Sequence, residues 1–240
     1  MQPALIKAIQ TMTPDKIDIP PGTPAMTGEL YKPASAAKTG LVVLAYGTDG
    51  YVDNARGPWK TMMRGYAEEL AARGLFALIP DYFARTGSRH DGPAIDDIAT
   101  KRPDWATALV ETVTHARTLA GVDPSRIGML GFSLGGYLCL LTRAAAKPKA
   151  LVSYFAPIFD GFGAPGNVPF AQLHHGKKDK PPTDVTNAAR IAAILRAEGT
   201  DVAVFEYDDA THGFAGPTAA DTKAAADSKA ATLKFFQTRL

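Results

Sequence analysis

This chain predicts an α/β fold: a mostly parallel sheet with helices on both faces. Three observations support the prediction. Strand-like and helix-like segments alternate along the sequence, the order that a parallel sheet with crossover helices requires. The central strand segments, Leu41-Val42-Val43-Leu44-Ala45 and Leu75-Phe76-Ala77-Leu78-Ile79, are continuously apolar, as strands covered on both faces are. No internal repeat, low-complexity tract or long linker divides the 240 residues. Residues 1–240 are therefore read as one domain, long enough to bury a sizeable core.

The segments follow in order. Candidate strands are Lys16–Ile19, Thr27–Lys32, Leu41–Tyr46, Leu75–Pro80, Arg126–Phe132, Ala150–Phe155, Pro169–His174 and Asp201–Tyr207. Between the third and fourth, Pro58 suits a first helical turn, and Trp59, Met62, Met63, Tyr66 and Leu70 recur at helical spacing. Trp105, Leu109, Val113, Ala116 and Leu119 form the next stripe, and Tyr137 to Ala146 a third helix. Ile191 to Arg196 lies in a fourth, and Leu233, Phe235 and Phe236 close an Ala-rich C-terminal one. These Met and aromatic stripes read as core.

Composition narrows the function. With 46% hydrophobic and 21% charged residues the chain is an ordinary globular protein, and a net charge of +2 does not point to nucleic acid or an anionic membrane. No apolar run has the length of a membrane span. The single cysteine, Cys139, excludes an intrachain disulfide and a cysteine zinc site, and its apolar surroundings read as packing. Met1–Lys7 lacks the apolar core of a leader, so a cytoplasmic protein, monomer or small homo-oligomer, is expected.

In an open α/β sheet, ligands bind beyond the carboxyl ends of the strands. The fifth strand runs into Gly131-Phe132-Ser133-Leu134-Gly135, and a helix follows. A G-x-S-x-G in that setting holds one serine on a strained turn, its glycines allowing strand and helix to approach. The pentapeptide alone arises by chance in roughly one chain in twenty of this composition. The other strand ends add to it. His174-His175-Gly176-Lys177-Lys178-Asp179 follows the seventh and Asp208-Asp209-Ala210-Thr211-His212-Gly213-Phe214 the eighth. Ser, Asp, His is the chain order in which α/β-hydrolases present a triad. His174 and His175, as strand neighbours, point to opposite faces and cannot easily chelate one ion, so neither metal nor cofactor is expected.

The chain resembles the dienelactone hydrolase family of α/β-hydrolases from about Thr27 to Leu240. Five stretches carry the resemblance: Pro80-Asp81-Tyr82-Phe83-Ala84-Arg85, the serine turn, His175-Gly176-x-x-Asp179, Thr211-His212-Gly213-Phe214 and Thr232-Leu233-Lys234-Phe235-Phe236. It implies Ser133 as nucleophile, His212 as general base and acid, and Asp179 as its orienter. It also implies an eight-stranded sheet whose second strand runs antiparallel. The namesake enzymes differ at three places. Their nucleophile is cysteine, a glutamate that serves the thiol aligns with Gly47, and of two arginines that hold a substrate carboxylate one is matched by Arg85 while the other aligns with Gly216.

The expected chemistry is therefore that of a serine esterase acting on small esters or lactones through an acyl-enzyme. Backbone N–H groups of Leu134 and, by alignment, Thr48 are the expected oxyanion donors. Arg85 and Gly47 are expected at the substrate, and the loop Phe155–Val168, too short for a cap domain, is expected to line an exposed site through Phe159 or Phe162. Lys177, Lys178 and Lys180 read either as a solvated loop or as a positive entrance favouring acidic esters. Asp184 and Asp208 compete with Asp179. A thioesterase or peptidase on the same triad, or a non-catalytic binding protein on the same fold, remain the alternatives.

Overall fold

The computed structural model describes residues 12–20, 22–34, 37–90 and 98–240; Met1–Lys7 lies outside them. The eight expected strands form one sheet: β1 Asp15–Ile19, β2 Met26–Tyr31, β3 Thr39–Ala45, β4 Phe76–Pro80, β5 Val122–Phe132, β6 Ala150–Tyr154, β7 Phe170–Gly176 and β8 Asp201–Tyr207. Their order across the sheet is β1-β2-β4-β3-β5-β6-β7-β8. Among the described strands of this sheet, β2 runs opposite to the other seven, pairing antiparallel with both β1 and β4.

Among the described residues, five α-helices connect or cover the strands: α1 Trp59–Ala72, α2 Ile98–Ala116, α3 Leu134–Ala146, α4 Thr186–Ala197 and α5 Ala219–Arg239. Right-handed crossovers dictate their placement. The step from β3 to β4 runs one way along the sheet and puts α1 on one face, where α5 packs against it. The steps from β4 to β5 and from β5 to β6 run the other way, so α2 and α3 pack together on the opposite face.

Local chemistry agrees with these boundaries. Pro58 precedes the first turn of α1, and Asp53 accepts from the Thr61 amide at 3.0 Å and hydroxyl at 2.7 Å, satisfying a first-turn N–H. Trp105, Leu109, Val113 and Ala116 of α2 are fully buried, as their spacing predicts. Strand β5 begins earlier than Arg126, because Val122 pairs with Thr39 before an irregularity in register. Helix α3 starts three residues before Tyr137, directly after the serine.

The chain reverses direction along the sheet at β3, which lies between β4 and β5. The crevice at such a switch point is where α/β sheets hold ligands. Loops after β3 and β5 meet there, and both carry residues singled out in the sequence.

Candidate active site

Ser133 sits between β5 and α3 with φ 52° and ψ −117°, a conformation that costs an L-residue of order 1–3 kcal/mol. The turn persists because both flanking glycines are enforced by contact. A Cβ on Gly131 would lie 2.3 Å from the Gly135 carbonyl oxygen, and one on Gly135 2.1 Å from that of Ala45. Ser133 N–H continues the β5–β6 pairing by donating to Tyr154 O at 3.0 Å, and its carbonyl accepts from Tyr137 N–H at 3.0 Å.

Two further loops converge on the hydroxyl. His212 Nε2 lies 3.2 Å from Ser133 Oγ, and His212 Nδ1 lies 2.7 Å from Asp179 Oδ2. The Asp179 side chain is 2% exposed while that of His212 is 40% exposed; the carboxylate is sealed and the imidazole faces solvent. Asp179 Oδ1 accepts from the Lys180 amide at 2.9 Å and the Thr183 hydroxyl at 2.8 Å. This buried carboxylate is thus hydrogen-bonded to three groups, while the His175 ring nitrogen stands 3.6 Å away, beyond hydrogen-bond reach. Burial lowers the pKa of His175, and its Nε2–H donates to the Thr183 carbonyl.

The carboxylate and imidazole meet because their loops are laced together. Lys177 N–H donates to Tyr207 O at 2.9 Å and Lys178 N–H to Ala210 O at 3.0 Å. Gly176 is required at this crossing: a Cβ there would stand 2.4 Å from Ala210 O. Asp221 of α5 fixes the other side of the histidine loop, accepting from the Thr211 amide at 2.7 Å and hydroxyl at 2.8 Å.

Thr48 and Gly47 lie over the serine. Gly50 N–H donates to Gly47 O at 3.1 Å, closing a turn that leaves the amide of its second residue, Thr48, unused. A Cβ on Gly47 would lie 3.3 Å from Ser133 Cβ, so any side chain placed here would abut the serine. Leu134 is the first residue of α3, and its N–H has no intrahelical acceptor. His90 clasps the same loop. Its Nδ1 accepts from the Tyr51 amide at 3.3 Å while its Nε2 lies 3.0 Å from Asp81 Oδ1. No sequence motif links His90 to these groups, because Tyr51 and Asp81 follow different strands.

A cavity of about 90 Å³ adjoins Ser133 and His212, with Thr48, Trp59, Met62, Met63 and Phe155 in its walls. Several expected substrate contacts lie elsewhere. Arg85 pairs with Glu111 of α2 at 2.6 Å, its side chain 8% exposed, and is absent from the cavity walls. Phe159 packs edge-on against Tyr137, ring centroids 4.9 Å apart, and Phe162 packs on the same ring; the Gly161 carbonyl accepts from Tyr137 OH at 2.9 Å. The Phe155–Val168 loop thus seals α3 rather than lining the cavity, and only its first residue, Phe155, does so.

Lys177 and Lys178 pair with Asp208 at 2.7 Å and Asp209 at 3.4 Å, so these exposed charges are matched at the surface. Asp184 accepts from the Thr186 amide at 3.1 Å at the start of α4; neither it nor Asp208 approaches His212. Among the described residues no cluster of three or more His, Cys, Asp or Glu could hold a metal ion, and no helix is long and apolar enough to cross a membrane. His174 and His175 do occupy opposite faces: His174 stacks on Tyr154 and Phe205, with Nδ1 2.9 Å from Tyr207 OH. Cys139 is fully buried, and burial pushes its thiol up.

The strand order, the serine on its turn and the loops converging on it define an α/β-hydrolase. The model of the dienelactone hydrolase family matches residues 26–240. The chain belongs to that family, and with it to the carboxylic ester hydrolases. It is 30% identical over 135 residues to the quorum-quenching protein AidA of Acinetobacter baumannii, covering 56% of this chain and 41% of that protein; the match thus spans less than half of that relative's length. It is 31% identical over 192 residues to carboxymethylenebutenolidase of Rhodococcus opacus, covering 72% of this chain and 74% of that enzyme. In structure it is similar to the propionate-bound esterase of Thermogutta terrifontis, with a TM-score of 0.69 and 18% identity over 94% of this chain and 96% of that one.

Proposed function

We propose that this protein hydrolyses small carboxylic esters or lactones through a Ser133–His212–Asp179 relay and an acyl-enzyme intermediate. One observation carries the reading. Serine, imidazole and carboxylate stand in hydrogen-bonded series at 3.2 and 2.7 Å, the arrangement nucleophilic catalysis by a hydroxyl requires.

In the first half-reaction, Ser133 Oγ attacks the ester carbonyl as His212 Nε2 takes the hydroxyl proton. Asp179 accepts from Nδ1–H, which fixes the tautomer and stabilises the imidazolium. The carbonyl oxygen, now an anion, lies against the N–H groups of Leu134 and Thr48, each such donor being typically worth roughly 10²–10³ in rate. His212 then gives its proton to the departing alcohol oxygen as the C–O bond breaks. Water enters, loses a proton to His212, attacks the acyl carbon and releases the acid, while the proton returns to Ser133. For a lactone, the alcohol and acid are two ends of one product.

The paired Arg85 weighs against recognition of a substrate carboxylate, and the matched charges of Lys177 and Lys178 weigh against a positive entrance. Neutral esters therefore fit better. The experiment is a rate comparison on p-nitrophenyl acetate and a simple γ-lactone. Wild type should turn over at least one of them, and Ser133→Ala should cut kcat by about 10⁴-fold or more. Equal rates for wild type and variant would remove the serine from the mechanism.

A further inference from the structure

Two cavities lie beside one another at the reacting serine, and they differ in size. The cavity of about 90 Å³ that holds Ser133 is smaller than the roughly 150 Å³ that takes a six-carbon ligand such as benzene. A second, of about 350 Å³, lies between α1 and α5 with Tyr66, Tyr154 and Lys229 in its walls. Met62, Phe155 and Gly213 line both, so these three residues stand between them.

The walls of the smaller cavity differ in stiffness. Trp59 is fixed on three sides. Its Nε1–H donates to Asp49 Oδ2 at 2.9 Å, and Asp49 Oδ1 is 3.1 Å from Arg56 Nη1. A Cβ on either Gly57 or Gly213 would approach indole carbons to 2.6 Å, so the ring fills the space between those two backbones. Met62 has no such constraint: it is unbranched, half-buried, and able to change rotamer. Apart from His212 and Asp49, whose carboxylate is engaged by Trp59 and Arg56, the lining carries no charge.

We infer that Trp59 and Met62 determine acyl size: they restrict the group held beside Ser133 to an uncharged chain of about two to four carbons, with Met62 as the partition that closes off the cavity between α1 and α5. This rests on the hydrolase reading above. Removing the Met62 side chain joins the two cavities and admits a longer chain; enlarging it shortens the limit further. Trp59, one turn before Met62 on α1, supplies the adjoining stretch of wall, where the fixed indole leaves no slack for a longer chain to bend.

The test is kcat/KM on p-nitrophenyl acetate, butyrate and octanoate for wild type, Met62→Ala and Met62→Phe. Each methylene that fits or fails to fit a closed pocket changes such ratios by roughly tenfold or more. Wild type should prefer butyrate over octanoate by at least about tenfold. Met62→Ala should bring the two within about threefold, and Met62→Phe should favour acetate over butyrate more than wild type does. Ratios within one protein are insensitive to the fraction folded. If labelling at Ser133 and turnover persist but the octanoate-to-butyrate ratio is unchanged in both variants, the size inference is overturned and the hydrolase reading stands. If wild type cleaves none of the esters and a phosphonate does not label Ser133, both fall.

Discussion

The Thr183 hydroxyl donates to Oδ1 of Asp179 at 2.8 Å, on the carboxylate oxygen that His212 does not use. Thr183 lies four residues beyond the acid, in the Pro181-Pro182-Thr183 turn that leads into α4. With the Lys180 amide on the same oxygen, it helps hold the carboxylate in the orientation in which Oδ2 meets the imidazole. Thr183→Val removes that donor from a buried carboxylate, a loss of about 1.5–3 kcal/mol for a hydrogen bond to a charged group. The expected result is a fall in kcat of about tenfold with KM little changed, and recovery in Thr183→Ser. A kcat indistinguishable from wild type would show that the remaining donors suffice.

His90 joins the loop after β3 to Asp81 at the end of β4. With His90→Ala, the Tyr51 amide and Asp81 lose their shared partner, and the Gly47–Gly50 turn above Ser133 loses its brace. Steady-state kinetics should show kcat reduced about tenfold, less than the roughly 10²–10³ of a deleted oxyanion donor. His90→Asn, whose side-chain oxygen can accept from the Tyr51 amide, should recover part of it. An effect confined to KM would place His90 outside the positioning of that loop.

The serine turn is a stability feature as well as a catalytic one. A Cβ on Gly135 meets backbone oxygen at 2.1 Å, and backbone cannot swing aside as a side chain can. Gly135→Ala should therefore lower stability by at least about 3 kcal/mol, at the severe end for single substitutions, read as a reduced urea midpoint or as insoluble protein. A variant with wild-type stability would mean that β3 and α3 can separate without penalty.

Stability should also fall with acid well before the carboxylates titrate. Burial takes His174 down to about 3, whereas in the unfolded chain a histidine titrates near 6.5. Between those values the unfolded chain binds a proton that the folded chain refuses. The His174 contribution is therefore complete above about pH 6.5 and is lost progressively as pH falls toward 3, at about 1.4 kcal/mol per pH unit. Burial also lowers His175, which acts in the same direction. Urea midpoints at pH 7, 6 and 5 should decline for wild type and decline less steeply for His174→Phe. Parallel slopes would assign the acid sensitivity elsewhere.

The sheet was legible because its central strands are continuously apolar and strand-like and helix-like segments alternate, and the triad candidates because they fall at strand ends in a known order. The cavity walls were not. The stripe containing Trp59, Met62 and Met63 reads as core from periodicity alone, since spacing specifies a buried face without saying whether protein or cavity lies against it. Arg85 was expected at the substrate because nothing in sequence shows that Glu111, on α2, reaches it. Phe159 and Phe162 lie in a Gly-rich loop that looks free, yet Tyr137 of α3 anchors it. Thr183 and Asp221 carry no motif; their roles depend on loops that meet only in the folded chain.

The proposed chemistry depends on Ser133 acting as nucleophile, made reactive by His212. The most direct measurement is intact-protein mass spectrometry after exposure to a fluorophosphonate ester, followed by peptide mapping. One adduct per chain is expected, on Ser133, formed rapidly by wild type, slowly by His212→Ala and not at all by Ser133→Ala. An adduct on another residue, or equal labelling of wild type and Ser133→Ala, would contradict it.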